Sequence, residues 1–396
     1  MALVKRVALF INLLFAFSII QAQSDSCQLR ISLLTCGPGQ DLYSIWGHTG
    51  IRVIDSSSLS DVVFNYGTFD DSDPLFYIKF TRGIMLYSVT PFSFTDFMEE
   101  YRYDKRSVTE QVLRLSCREK LALAKALWTN SKPENKFYPY HFYADNCTTR
   151  AREMLLQYTD SVQFKDIRPQ PTSTYRQLIH SYMNNSSQAW NRFAIDVLLG
   201  NHLDETMTNR QAMFLPDYLM KGLDSAATDN LPLVSERILL LPDGQADQRS
   251  FFTPAVVFAI LLLLMIVFSL MHSRRSVQVV NLLDRLFFLC TGLLGCLMLA
   301  LWIFRVDSVC RNNYNLLWAL PTHAFIAFFI QRKTNWVKNY WLFTAVLTLL
   351  LLLAWYWLPQ EMNKSILLIL IIVLFRSIYR YQQISLYERQ QHRLSK

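Results

Sequence analysis

Cys147 and His48 are the residues whose types and surroundings suit nucleophilic catalysis. In Asp145, Asn146, Cys147, Thr148, Thr149, Arg150 the cysteine follows two residues able to cap a helix that continues through Ala151, Met154, Leu155 and Leu156. The helix dipole favours thiolate over thiol at that position. The stretch Trp46, Gly47, His48, Thr49, Gly50, Ile51, Arg52, Val53 offers an imidazole that can accept and return a proton. Such chemistry also needs a group that fixes the imidazole's tautomer, and N–H donors for a tetrahedral oxyanion. Asn65 meets the first need if its strand pairs with the histidine strand across a turn at 55–61. The Cys147 N–H, at a helix start, meets the second. Cys147 and His48 stand 99 positions apart, so only the fold can join them.

Each of these residues also has a plainer reading. A lone cysteine is commonly a small buried side chain, although polar neighbours argue against that for Cys147. His48 alone reads as a structural histidine, and His141, six residues before the cysteine, competes as the base. Tyr43, His141 and Arg150 are assigned to substrate binding, while Tyr43, Asp41 and Arg52 read equally well as satisfied core groups. No paired Cys or His spacing suggests zinc, and no cofactor is implied.

The elements that must position the pair follow from the pattern. Alternation and β-branching predict strands at 29–34, 50–54, 62–69 and 107–115, giving a small antiparallel sheet. Ser93 and Asp96 open a helix ending near Tyr103. Ser116 and Glu119 form a capping box for a helix through Trp128. A short aromatic strand at 137–143 leads into the cysteine. From Ser173 to about Leu223 the pattern is mostly helical, broken at Gly200 and Pro216, and 237–241 is a last strand.

With 52% hydrophobic residues and a mean hydropathy of +0.15, the 396-residue chain is too apolar for an ordinary soluble enzyme and too charged to be all membrane. Residues 1–22 read as a secretory signal cleaved near Ala22. Export places residues 24–250 in an oxidising space, where at most one disulfide fits among Cys27, Cys36 and Cys117 if Cys147 stays free. Beyond Phe251, uncharged runs at 251–271, 286–304, 314–331, 340–358 and 365–375 predict five membrane spans, the last requiring Lys364 and Arg376 to snorkel. With residues 24–250 outside, the inner segments hold eleven Lys and Arg and the outer loops only Arg305, Arg311 and Lys364. This obeys the positive-inside rule and sends residues 380–396, a basic tail, to the cytoplasm. The net charge of +8 therefore reflects topology, and no nucleic acid partner is expected. His323, within the third run, lines a polar groove among the helices or is neutral and hydrogen-bonded to a neighbouring helix.

Leu33, Leu34, Thr35, Cys36, Gly37, Pro38, Gly39 through Leu42, Tyr43, Ser44, Trp46, Gly47, His48, together with Phe64, Asn65, Tyr66, Gly67 and the 145–150 motif, resemble the Lnb family of bacterial lipoprotein N-acyltransferases. The resemblance implies an α+β chain: a circularly permuted, NlpC-type papain-like periplasmic domain at 24–170, a helical extension at 171–250 and a helical transmembrane bundle of about five helices at 251–379. It implies an inner-membrane protein in which Cys147 is the nucleophile and His48 the base. A phospholipid donates the acyl chain, a lipoprotein accepts it, and aromatics such as Phe76, Tyr77, Phe80, Phe92, Phe94 and Phe97 line an acyl channel or fill the core. The competing readings are a periplasmic cell-wall peptidase or amidase, for which five spans are excessive, and a non-enzymatic membrane assembly factor.

Overall fold

The computed structural model describes residues 27–395 except 42, 71, 246–248 and 272, so the expected signal segment lies outside the described residues. The strands are β1 (Leu29–Cys36), β2 (His48–Asp55), β3 (Ser60–Thr68), β4 (Leu86–Ser93), β5 (Val108–Leu113), β6 (Phe137–Pro139) and β7 (Val234–Leu241). They form one antiparallel sheet in the order β6-β4-β3-β2-β1-β5-β7. The helices of this domain are α1 (Phe76–Arg82), α2 (Phe94–Tyr103), α3 (Cys117–Asn130), α4 (Cys147–Gln157), α5 (Tyr175–Ser181), α6 (Ala189–Leu198) and α7 (Pro216–Ser225).

Strand periodicity sorts the core into two faces. Ile31, Leu33, Ile51, Val53, Phe64 and Tyr66 point one way, against α3, α4 and α7. Leu34, Cys36, Val63 and Val108 point the other way, against Phe97, Met98 and Tyr101 of α2. The predicted capping box at Ser116 and Glu119 is present. Three features differ from the sequence reading. β4 occupies a stretch for which no element was expected. β6 ends at Pro139 because His141 and Asp145 exchange backbone bonds of 3.0 Å in a tight loop. The strand expected at 237–241 begins earlier, at Val234, and as β7 joins the sheet beside β5, so the extension after 171 shares the sheet of the region before it.

The C-terminal part contains α8 (Pro254–Leu270), α9 (Arg274–Phe304), α10 (Asn335–Leu353) and α11 (Ile366–Leu394). Among the described residues, α9, α10 and α11 are long and apolar enough to cross a membrane, and α8 is a shorter apolar helix of 17 residues. The expected third span is not one helix. It is a 3-10 turn at Tyr314–Leu317 and a helical turn at Thr322–Ile326, separated at Pro321, which supplies no N–H. Gly292 and Gly295 of α9 lack a Cβ where the backbone of Ala324 and Ala319 approaches, so one side of the broken segment packs closely on α9, while Phe325 and Phe328 on its other side are exposed. It descends along α9 from Met298, 3.7 Å from Asn313 Nδ2, to Phe288, whose ring lies 5.1 Å from that of His323. His323 Nδ1 meets Tyr340 Oη at 2.7 Å, so of its two readings the hydrogen-bonded one describes its contacts.

The expectation that Arg376 snorkels is corrected. Arg376 is fully buried, with Nε and Nη2 on the Asp284 carboxylate at 2.6 and 2.8 Å, and Arg380 shares that carboxylate through Nε at 2.7 Å. The single carboxylate on α9 pairs with both guanidinium groups and offsets one of the two positive charges inside the bundle, where an unpaired cation would be costly.

Candidate active site

Asn146 sets the start of α4. Its Oδ1 accepts from the N–H groups of Thr148 and Thr149 at 2.9 Å each, and Thr149 Oγ1 accepts from the Asn146 N–H at 2.8 Å. Its Nδ2 donates to the carbonyls of Phe142 and Phe214, fixing the cap in turn. These bonds take up the first-turn donors around Cys147 and leave its own N–H outside the cap. The half-buried thiol therefore sits at the positive end of an anchored helix.

The helix is docked on the histidine strand. Thr148 Oγ1 and Thr49 Oγ1 lie 3.0 Å apart, joining α4 to β2 one residue beyond His48. β2 pairs with β3 in the register Gly50 to Asn65, and His48 Nε2 meets Asn65 Oδ1 at 2.6 Å. Cys147 acts on the same ring, through its charge and a side-chain hydrogen bond. Gly67 makes room for this meeting. Its φ is +90°, and a Cβ there would stand 3.2 Å from Cys147 Cβ and 3.8 Å from His48 Cε1.

Burial pushes the Cys147 thiol up, but the His48 charge, its hydrogen bond, the Thr148 hydroxyl and the Thr49 N–H outweigh it, and the net shift is downward. Burial likewise opposes a charge on His48, yet Cys147 and the Asn65 bond raise its pKa overall. The two shifts run in the directions by which each group favours the charged form of the other. Cys36 behaves differently: it is fully buried against α2, and burial lifts its thiol to about 12.

Asn65 thus joins the pair, whereas the three assigned substrate-binding residues are placed elsewhere or otherwise engaged. Tyr43 is 68% exposed, and its hydroxyl donates to Asp41 at 3.3 Å. His141 accepts from the Ala144 N–H through Nδ1, and burial lowers its pKa. Arg150 is held bidentately by Asp145 and lies 4.3 Å over the Tyr138 ring, so it clamps the loop before α4. Arg52, by contrast, is the satisfied core group its plainer reading allows, paired with Asp61 and Glu110.

Sequence reasoning missed the aromatic wall around the thiol. Tyr87, Tyr138 and Tyr140 all feel the Cys147 charge, and the rings of Tyr87 and Tyr140 stack at 4.2 Å. The aromatic run before Cys147 was the available signal, but β4, which brings Tyr87 there, was not foreseen. Of the suggested channel aromatics, Phe97 is core and Phe94 lies 3.3 Å under Arg52, while Phe76 and Phe80 stack at 6.3 Å. The Tyr77 side chain lies outside the described residues.

A sheet-containing domain that gathers a thiol, an imidazole and an amide, joined to a bundle of apolar helices, defines a membrane protein with a candidate cysteine site. Residues 16–181 match the family model described as the Lnb N-terminal periplasmic domain, and residues 246–388 match the Lnb transmembrane domain. The chain belongs to the Lnb family and is a membrane protein with a periplasmic N-terminal domain. No curated protein and no solved structure matches it.

Proposed function

We propose that this protein N-acylates lipoproteins, moving an acyl chain from a phospholipid through a thioester on Cys147. The observation that carries this reading is the contact of His48 with both Cys147 and Asn65 at the head of α4, in a domain seated on apolar helices. Thiolate attack on an ester carbonyl forms the S–C bond, and the Cys147 N–H donates to the oxyanion. Collapse breaks the ester C–O bond, and the His48 imidazolium returns the proton to the departing lysophospholipid oxygen. The neutral α-amine of a diacylglyceryl-cysteine then attacks the thioester and His48 takes its proton. An amide forms and the thiol is restored. Asn65 holds the imidazole ring in register throughout.

The same reading places the protein in the bacterial inner membrane, with five crossings and a cytoplasmic C-terminus. Contacts support it. The start of α8, the end of α9 and the loop between α10 and α11 all touch the periplasmic domain, through Trp190 Nε1 to Phe252 O at 2.7 Å, Val306 N to Arg82 O at 3.0 Å and Gln360 Nε2 to Leu199 O at 3.0 Å. Four helices and one broken segment then leave the end of α11 on the far side. The chain order, histidine strand before cysteine helix, suits a permuted papain-like domain. The test is mass spectrometry of a model lipoprotein from cells expressing the wild type, Cys147→Ser or His48→Ala. The wild type should add one acyl chain to the N-terminal cysteine and the variants should not; full N-acylation with either variant refutes the mechanism.

A further inference from the structure

Helix α1 lies where the two regions meet. Arg305, the first residue after α9, donates through Nη1 to the carbonyls of Phe80 and Thr81 at 3.1 and 3.2 Å, and Asp307 holds that guanidinium at 2.7 and 2.9 Å. The Val306 N–H donates to Arg82 O at 3.0 Å. These bonds fix α1 at the level where α9 ends.

Apolar side chains around it are uncovered. Leu75, Ile78 and Phe80 are 53%, 58% and 51% exposed, and Ile303, Phe304 and Val306, at the end of α9, are exposed as well. Apolar side chains exposed on both sides of one junction suit lipid better than water. Tyr356 and Trp357, in the loop between α10 and α11 that also touches the periplasmic domain, are 91% and 82% exposed, as interfacial aromatics are. Arg82, exposed in the last turn of α1, suits a phosphate headgroup, while Lys79 is paired with Asp73.

From this face aromatic rings lead inward. Phe80 stacks on Phe76 at 6.3 Å, Phe76 meets Phe69 at 5.7 Å, Phe69 meets Tyr87 at 5.3 Å, and Tyr87 stacks on Tyr140 at 4.2 Å beside Cys147. We infer that α1 dips into the periplasmic leaflet of the bilayer and that this row of rings guides one acyl chain of a phospholipid from the leaflet to Cys147. The inference rests on the acyl-transfer reading and adds to it the door through which the donor enters.

The test uses the full-length Cys147→Ala protein in vesicles of phosphatidylethanolamine and phosphatidylglycerol, doped with a phospholipid bearing a diazirine at one acyl terminus. After illumination, adducts are expected on residues 75–80 and on Tyr87 or Tyr140; adducts confined to α8–α11 overturn the proposal. With Cys147 intact, Ile78→Asp should lower the ratio of Cys147 acylation by vesicle phospholipid to acylation by soluble p-nitrophenyl butyrate at least tenfold. An unchanged ratio also overturns the proposal. If neither donor acylates wild-type Cys147, the acyl-transfer reading fails, while the adduct map still decides whether acyl chains enter along α1.

Discussion

His48 and His180 make the same first hydrogen bond and then part ways. Each places Nε2 2.6 Å from a side-chain oxygen, His48 on the amide of Asn65 and His180 on the carboxylate of Asp196. The other nitrogen of His180 faces Arg192 Nη2 at 3.1 Å, and a guanidinium can only donate, so both ring nitrogens are committed to structure. Asp196 also takes Arg176 at 3.1 Å and Asn363 at 2.9 Å, tying α5 and α6 to the loop between α10 and α11. His48 faces a neutral amide and a thiol. A ring between ions is a clamp; a ring between an amide and a thiol retains a proton it can exchange.

Breaking the pair should have the largest effect. Cys147→Ala is expected to abolish acyl-enzyme, and His48→Ala to slow its formation by roughly a thousandfold or more, both read by intact-protein mass. Breaking the clamp should act on stability instead. Asp196→Ala removes the carboxylate that His180 and Asn363 share, while Arg176 keeps Asp204, and should cost about 1.5–3 kcal/mol, read as a lower unfolding temperature of the detergent-solubilised protein, with acylation per folded molecule preserved.

Asn65→Ala sharpens the contrast on the other side. A hydrogen bond to a charged imidazole is worth about 1.5–3 kcal/mol, so acylation should slow by roughly 10- to 150-fold with little loss of stability. pH provides a subtler measure. The lowered thiol pKa means the thiolate persists below the ordinary 9.0, so iodoacetamide alkylation of Cys147 should inflect below that value. In His48→Ala the charge and hydrogen bond of the imidazole are lost while burial remains, and the inflection should move upward. The smallest effect is expected for exposed Tyr43, where Tyr43→Phe should change stability by less than about 0.5 kcal/mol and leave acylation unaltered.

Much of the site was legible. Asn146 as a cap, Cys147 in the first turn, a strand opened by His48 and a paired strand carrying Asn65 all follow from short-range rules, because caps, turns and alternation act over a few residues. The pairing of Arg150 with Asp145 was not legible, because a guanidinium suits a ligand and a neighbouring carboxylate equally. The shape of the third apolar run was hidden for a related reason: hydropathy measures affinity for lipid but is blind to a backbone broken at Pro321 and packed against Gly292 and Gly295.

The sequence by itself determined that a thiol stands at a helix start, that an imidazole opens a strand, and that apolar runs with basic flanks follow, since these depend on residue type and nearest neighbours. Only the tertiary structure decided that the two groups meet, that Gly67 leaves the gap between them, that Tyr87 and Tyr140 wall the thiol, and that Arg376 turns inward to Asp284. Those outcomes depend on strand register and helix docking, which bring together residues far apart along the chain, and no local pattern encodes which distant partners meet.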